Sequence, residues 1–198
     1  MRPGGAEKPP GRLRRGRQRV RSHTVTASPD DLFAFLARLG LPVRTHEHVA
    51  VFTVAQSREI KEAIPGGHTK NLFLKDKKGA LFLVTAEAHT PIDLKRLHEP
   101  LGASGRLSFG SAELLREVLG VEPGSVTPFG AINDRARRVS VVLDAALMAH
   151  ATVNVHPLVN TMTTSIARED LVTFLRETGH EPRIMSLPAP PEAGKTGP

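Results

Sequence analysis

Two spacings of apolar residues alternate along this 198-residue chain, one helical and one strand-like. Leu32, Phe33, Phe35, Leu36 and Leu39 recur on one helical face behind Ser28-Pro29-Asp30-Asp31, which supplies an N-cap, a proline at the first helical position and two acids for the dipole. Gly40 stops that helix. Arg44–Val51 reads as a strand, and Thr53 can cap a short helix to Ala63, broken by Pro65-Gly66-Gly67. Asn71–Lys75 and Ala80–Ala86 are apolar strands joined by Asp76-Lys77-Lys78-Gly79, a hairpin signal. Helices are expected from Thr90-Pro91 to about His98, from Ala112 to Leu119 behind Ser111, and from Arg168 to Thr178 before Gly179. Further strands are expected at Arg138–Leu143, Thr152–Val155, Asn160–Ile166 and Arg183–Leu187. Glu122–Asp134 holds two prolines and two glycines without periodicity and is the longest irregular stretch. Helices and strands are interspersed with no βαβ repeat, which predicts a single α+β domain with a mixed, mainly antiparallel sheet flanked by helices.

Charge sharpens the boundaries. The net charge is +7, and residues 1–22 carry all of it, with eight cations against Glu7. Residues 23–198 hold 19 basic and 19 acidic side chains. The expected layout is a disordered basic leader over 1–23, a folded domain over 24–187 and a disordered Pro/Ala-rich tail over 188–198. A uniformly basic nucleic-acid coat is excluded. Cysteine is absent, which excludes disulfides, thiolate nucleophiles and thiolate-ligated zinc. Trp and Tyr are absent too, so base-stacking platforms are poorly supplied. No apolar run approaches the ~18 residues of a membrane span. The chain reads as soluble and cytoplasmic.

Several chemistries can be struck out. There is no phosphate-binding G-x-x-x-x-G-K-[ST], no G-x-G-x-x-G after a strand, no G-x-S-x-G elbow and no H-E-x-x-H. His46-Glu47-His48 could set two imidazoles on one strand face, but no third ligand is evident, so no metal is expected. Asp30-Asp31 and Glu169-Asp170 sit in helix first turns, where the dipole accounts for them.

Three segments carry more. Lys70-Asn71, entering the apolar Leu72-Phe73-Leu74, reads either as a register-setting edge charge or as a cation and amide aimed at a phosphate. Gly124-Ser125-Val126-Thr127-Pro128-Phe129-Gly130 reads either as a surface loop or as a nest of inward N–H groups. His156, in Asn154-Val155-His156-Pro157-Leu158-Val159-Asn160, reads either as a structural histidine or as a site residue.

In this order and spacing, the three segments resemble the signatures of the YbaK/prolyl-tRNA synthetase insertion-domain superfamily, nearest its freestanding Ala-tRNA(Pro) deacylase branch. The resemblance spans about residues 28–187. It implies a barrel-like mixed sheet and hydrolysis of the ester joining a wrongly attached amino acid to the terminal adenosine of tRNA. Lys70 would contact the terminal phosphate. Gly124, Ser125, Val126, Thr127 and Pro128 would form the G-x-x-x-P loop whose amides orient the scissile carbonyl. His156 would line a pocket for a small side chain, with Asn71 and Phe129 as further substrate-binding residues. No cofactor is implied. The implied partners are the acceptor 3′ end of tRNA(Pro) and prolyl-tRNA synthetase, with no membrane. Cys-tRNA(Pro) or Ser-tRNA as substrate, or a non-catalytic tRNA- or synthetase-binding module, remain open. The neutral domain leaves RNA contacts to local clusters, Lys75/Lys77/Lys78 and Arg135/Arg137/Arg138, or to the leader.

Overall fold

The computed structural model describes residues 26–49 and 63–191. The leader, most of the expected Thr53–Ala63 helix and the end of the tail lie outside those residues. Helix α1 spans Pro29–Arg38 and begins as its sequence requires. Ser28 Oγ accepts from the Asp31 amide, and Asp31 returns the bond to the Ser28 amide at 2.8 Å. Gly40, at φ 68°, lets the Leu41 amide reach back to the Leu36 carbonyl.

Strands β1 (Val43–Glu47), β2 (Gly67–Lys75) and β3 (Leu81–Glu87) come next. Then follow a short helix α2 (His98–Leu101), the two-residue β4 (Ser108–Phe109) and helix α3 (Ala112–Leu119). A 3₁₀ turn at Pro128–Ile132 leads to β5 (Val139–Asp144), β6 (Thr152–Val155) and β7 (Met162–Ala167). Helix α4 (Arg168–Glu177) and β8 (Arg183–Met185) complete the order.

The strands form one mixed sheet in the order β1-β7-β6-β2-β3-β5-β8, with β4 paired to the end of β2. Among the described residues four pairings are antiparallel and three (β2/β6, β3/β5, β5/β8) are parallel. Strand β2 joins the two halves of the sheet. Its first two residues pair with β6, and Thr69–Lys75 pair with β3 across the Asp76–Gly79 hairpin. The expected α+β architecture is the observed one.

Alternation along the strands sorts side chains onto two faces. Phe73, Leu81, Leu83, Val141 and Leu143 meet α1, α3 and α4 in the main core. Leu74, Phe82, Val84 and Val142 meet Leu97 and Leu101 in a smaller one on the opposite face. The expected helix from Thr90 to His98 is instead a turn that becomes helical only at His98. Asp93 decides this. Its carboxylate accepts from the Lys95 amide at 2.9 Å, while its own amide donates to the Pro188 carbonyl at 2.7 Å. That second bond also ties the first residue of the expected tail to the body.

Candidate active site at the end of strand β6

Lys70 and His156 reach one place by strand pairing. β2 and β6 run parallel, paired at Gly67–Val153 and His68–Asn154. Each of the two residues stands two positions beyond the last pair, on the face shared by His68 and Asn154. The Thr69 hydroxyl fastens the strands by donating to the Asn154 carbonyl at 2.9 Å. Asn154 is buried. Its amide nitrogen donates to the Pro65 carbonyl at 3.1 Å and its oxygen accepts from Ser165 Oγ at 2.6 Å.

The Lys70 ammonium donates to the Thr90 carbonyl. Its other two N–H groups meet no acceptor among the described residues. Thr90 is itself held by a buried carboxylate, since Asp144 accepts from Thr90 Oγ1 at 2.8 Å and from the amides of Glu87 and Ala146 at 3.2 Å each. Sequence alone assigns neither Thr90 nor Asp144 to the site. Asn71 goes elsewhere. Alternation puts it on the opposite side of β2 from Lys70, where its side-chain oxygen accepts from Thr85 Oγ1 at 2.8 Å.

His156 is half-buried, and its Nδ1 lies 3.0 Å from the Met162 carbonyl. A carbonyl only accepts, so Nδ1 carries the hydrogen and Nε2 is left as an acceptor. Desolvation pulls the imidazole pKa below its ordinary value. The Met162 bond opposes that shift and the neighbouring His48 adds to it. The ring is therefore neutral at pH 7. His48 is engaged at both nitrogens, with Nδ1 donating to the Val49 carbonyl and Nε2 hydrogen-bonded to Thr163 Oγ1, each at 2.9 Å.

The third segment adjoins the turn that follows β6. Gly124 adopts φ 92°, and a Cβ built there would come within 3.7 Å of Asn160 Nδ2. Between His156 and Asn160 the chain reverses through Leu158, a leucine at φ 67°. Bulky residues rarely adopt that backbone, and such departures cluster at functional sites.

Within the loop the amides divide into used and unused. Ser125 N donates to the Glu122 carbonyl, Phe129 N to Thr127 Oγ1 and Gly130 N to the Thr127 carbonyl. No described residue accepts from the consecutive amides of Val126 and Thr127. Thr127 is fully buried, and an unpaired buried N–H is rare. Pro128 cannot donate and fixes the turn that follows. The Phe129 ring lies wholly in the core, 5.0 Å edge-on to Phe174, so it anchors the loop from behind.

A family model for the aminoacyl-tRNA editing domain matches residues 48–174. That range contains all three segments. The chain belongs to the aminoacyl-tRNA editing domain family. This editing domain is 40% identical over 159 residues to the prolyl-tRNA synthetase associated domain-containing protein 1 of Danio rerio, covering 79% of this chain and 86% of that one. It is 36% identical over 142 residues to the prolyl-tRNA editing protein ProX of Acetoanaerobium sticklandii, covering 71% and 86%. Its fold superposes on the crystal structure of a proposed trans-editing enzyme for prolyl-tRNA synthetase with TM-score 0.64 at 18% identity, covering 84% of this chain and all of the other.

The clusters expected to touch RNA differ in availability. Lys75, Lys77 and Lys78 are exposed around the β2–β3 hairpin, whereas Arg138 is paired with Glu117 at 2.6 Å. No helix among the described residues is long and apolar enough to cross a membrane.

Proposed function

We propose that this editing domain hydrolyses the aminoacyl ester of mischarged tRNA, with Ala-tRNA(Pro) as the preferred substrate. The observation that carries the reading is the pair of adjacent amides, Val126 and Thr127, without an acceptor among the described residues. Both belong to the loop that adjoins the turn following His156. Two such donors suit the oxygen of a scissile carbonyl, which gains negative charge as water adds. An aminoacyl ester is already activated, so positioning and oxyanion stabilisation suffice, and no strong nucleophile is needed.

In this reading Lys70 binds the phosphate of the terminal adenosine through the N–H groups left free by Thr90. Gly124 and Ser125 give the loop its path, and Pro128 locks it. The neutral Nε2 of His156 accepts from the amino acid's ammonium or from water and borders a pocket of small volume. Asn71, bonded to Thr85, shapes the strand beside that pocket. Phe129 supports the loop from the core. Exclusion of proline rests on pocket volume, since a methylene in a fitted pocket is worth about 1–3 kcal/mol. The relatives named for prolyl-tRNA editing and for prolyl-tRNA synthetase association support tRNA(Pro) as the carrier and the synthetase as a partner.

The test is single-turnover deacylation by the purified protein of Ala-, Pro-, Cys- and Ser-charged tRNAs. Ala-tRNA(Pro) should be cleaved fastest and Pro-tRNA(Pro) spared. Stoichiometric tRNA binding with no ester cleaved would replace the enzyme by a binding module. Lys70→Ala should keep the fold and lose about 10- to 100-fold in rate, the range for a hydrogen bond to a charged group of ~1.5–3 kcal/mol.

A further inference from the structure

We propose a second RNA contact, a phosphodiester subsite in a cleft of about 400 Å³ on the polar face of β1, β7 and β6, centred on Arg44 with His46 and His150. It rests on the reading of the protein as a tRNA hydrolase and extends that reading to how the RNA is held.

Strand register assembles this cleft. Arg44 pairs with Ser165 across β1 and β7, and Ser165 pairs with Asn154 across β7 and β6, so the three stand in one row on one face. His46 lies one step further along the same face, opposite Thr163. Thr152 opens β6, and its hydroxyl-bearing side chain and that of Ser165 contribute to the lining. Pro65 and Gly66 also line the cleft, and Gly67 lies behind the His150 ring, both glycines in places that admit no Cβ. A Cβ at Gly66 would stand 2.8 Å from the Thr152 carbonyl oxygen, and one at Gly67 would stand 2.7 Å from the His150 ring.

The electrostatics favour an anion in this cleft. Arg116, Arg138, Arg168 and Arg176 each pair with a glutamate at 2.6–2.8 Å. The side chains of Arg44, His46 and His150 make no hydrogen bond or ion pair with any described residue. None of the described residues lining the cleft is acidic. Glu47, the nearest acid in sequence, falls on the other face by alternation. Arg168, itself paired with Glu169, fixes the turn just before His150 by donating to the Met148 and Ala149 carbonyls. A planar guanidinium, two imidazoles and the Thr152 hydroxyl are groups that hold phosphate oxygens, while the Ser165 hydroxyl is spent on Asn154.

Position links the cleft to the catalytic end. Thr152 and His156 are four residues apart on the same face, roughly 13 Å of strand. Asn154 lies between them, bonded to Pro65 and Ser165 of the cleft. A few nucleotides of a single-stranded 3′ end bridge that distance, so an RNA whose last phosphate meets Lys70 lays an earlier one on Arg44.

The experiment is equilibrium binding of the full chain to uncharged tRNA(Pro), followed by fluorescence anisotropy over a series of salt concentrations. Arg44→Ala should weaken binding and lower the slope of log K against log salt by about 0.7–0.9, one phosphate contact. Arg44→Lys should restore the slope, because a point charge still neutralises a phosphate, and this rescue separates lost charge from lost folding. Arg176→Ala, which removes only the exposed pair with Glu181, should not move it. Wild-type affinity and slope in Arg44→Ala would overturn the subsite while leaving the deacylase reading in place. A lowered slope in a protein that cleaves no ester would keep the RNA subsite and discard the reaction.

Discussion

The half-buried His156 and the buried Asp144 show how single groups set the terms of this site. The folded chain holds the His156 pKa below its ordinary value, chiefly by desolvation. Above the unfolded value near 6.5 both states are neutral and pH has no leverage. Below it the unfolded chain takes up the proton first, so stability falls as pH drops towards the lowered folded value and levels off beneath it. The wild type should therefore lose more stability between pH 7.5 and 5.5 than His156→Gln does, as read from urea midpoints. Equal losses would mean the ring is not held neutral. Asp144 acts at one remove, fixing Thr90, whose carbonyl holds Lys70. Asp144→Ala strips three donors of their acceptor and should cost about 1–3 kcal/mol or more, measured by denaturation, with a further fall in deacylation. The motif residues were legible in sequence because each combines a rare local pattern with a fixed order. Asp144 was not, since one aspartate closing an apolar strand looks like an ordinary strand end. Its partners, Glu87 and Thr90, lie more than fifty residues away.

At the scale of elements, the loop that presents the free amides is only as firm as what packs behind it. Phe174 of α4 meets Phe129 at 5.0 Å and Phe35 of α1 at 5.7 Å, both edge-on. One side chain thus clamps two helices to the 3₁₀ turn that starts at Pro128. Phe174→Ala should cost about 3–5 kcal/mol, visible as a lowered denaturation midpoint. Deacylation should fall even at temperatures where the variant stays folded, because the clamp sets where Val126 and Thr127 sit. Unchanged activity in the folded variant would show that the loop holds its own shape. Most elements could be read from spacing and caps: Ser28 and Ser111 begin helices, Gly40 and Gly120 end them, and Asp76–Gly79 turns the hairpin. The failure at Thr90–His98 has a physical cause. Local pattern favoured a helix, but Asp93 is bonded to Pro188, a contact that no local window contains. Strand order was equally hidden, because the split of β2 between two neighbours depends on packing across the whole domain.

The whole molecule separates attraction from chemistry. All +7 of the net charge lies in residues 1–22, and the domain carrying the candidate site is neutral. Under the proposed function, long-range attraction to RNA would belong to the leader, and local recognition to groups such as Lys70 and Arg44. These contributions are separable, since phosphate neutralisation adds to the salt slope contact by contact. Deleting residues 1–22 should weaken tRNA binding and flatten its salt dependence by about 0.7–0.9 for each phosphate the leader meets. The rate at saturating tRNA should be unchanged, because no motif residue is removed. Combining the deletion with Arg44→Ala should lower the slope by the sum of the two separate effects, as expected of independent sites. A deletion that leaves the slope untouched would assign all RNA contacts to the neutral domain. A deletion that slows the saturated chemical step would place part of the leader in the active site.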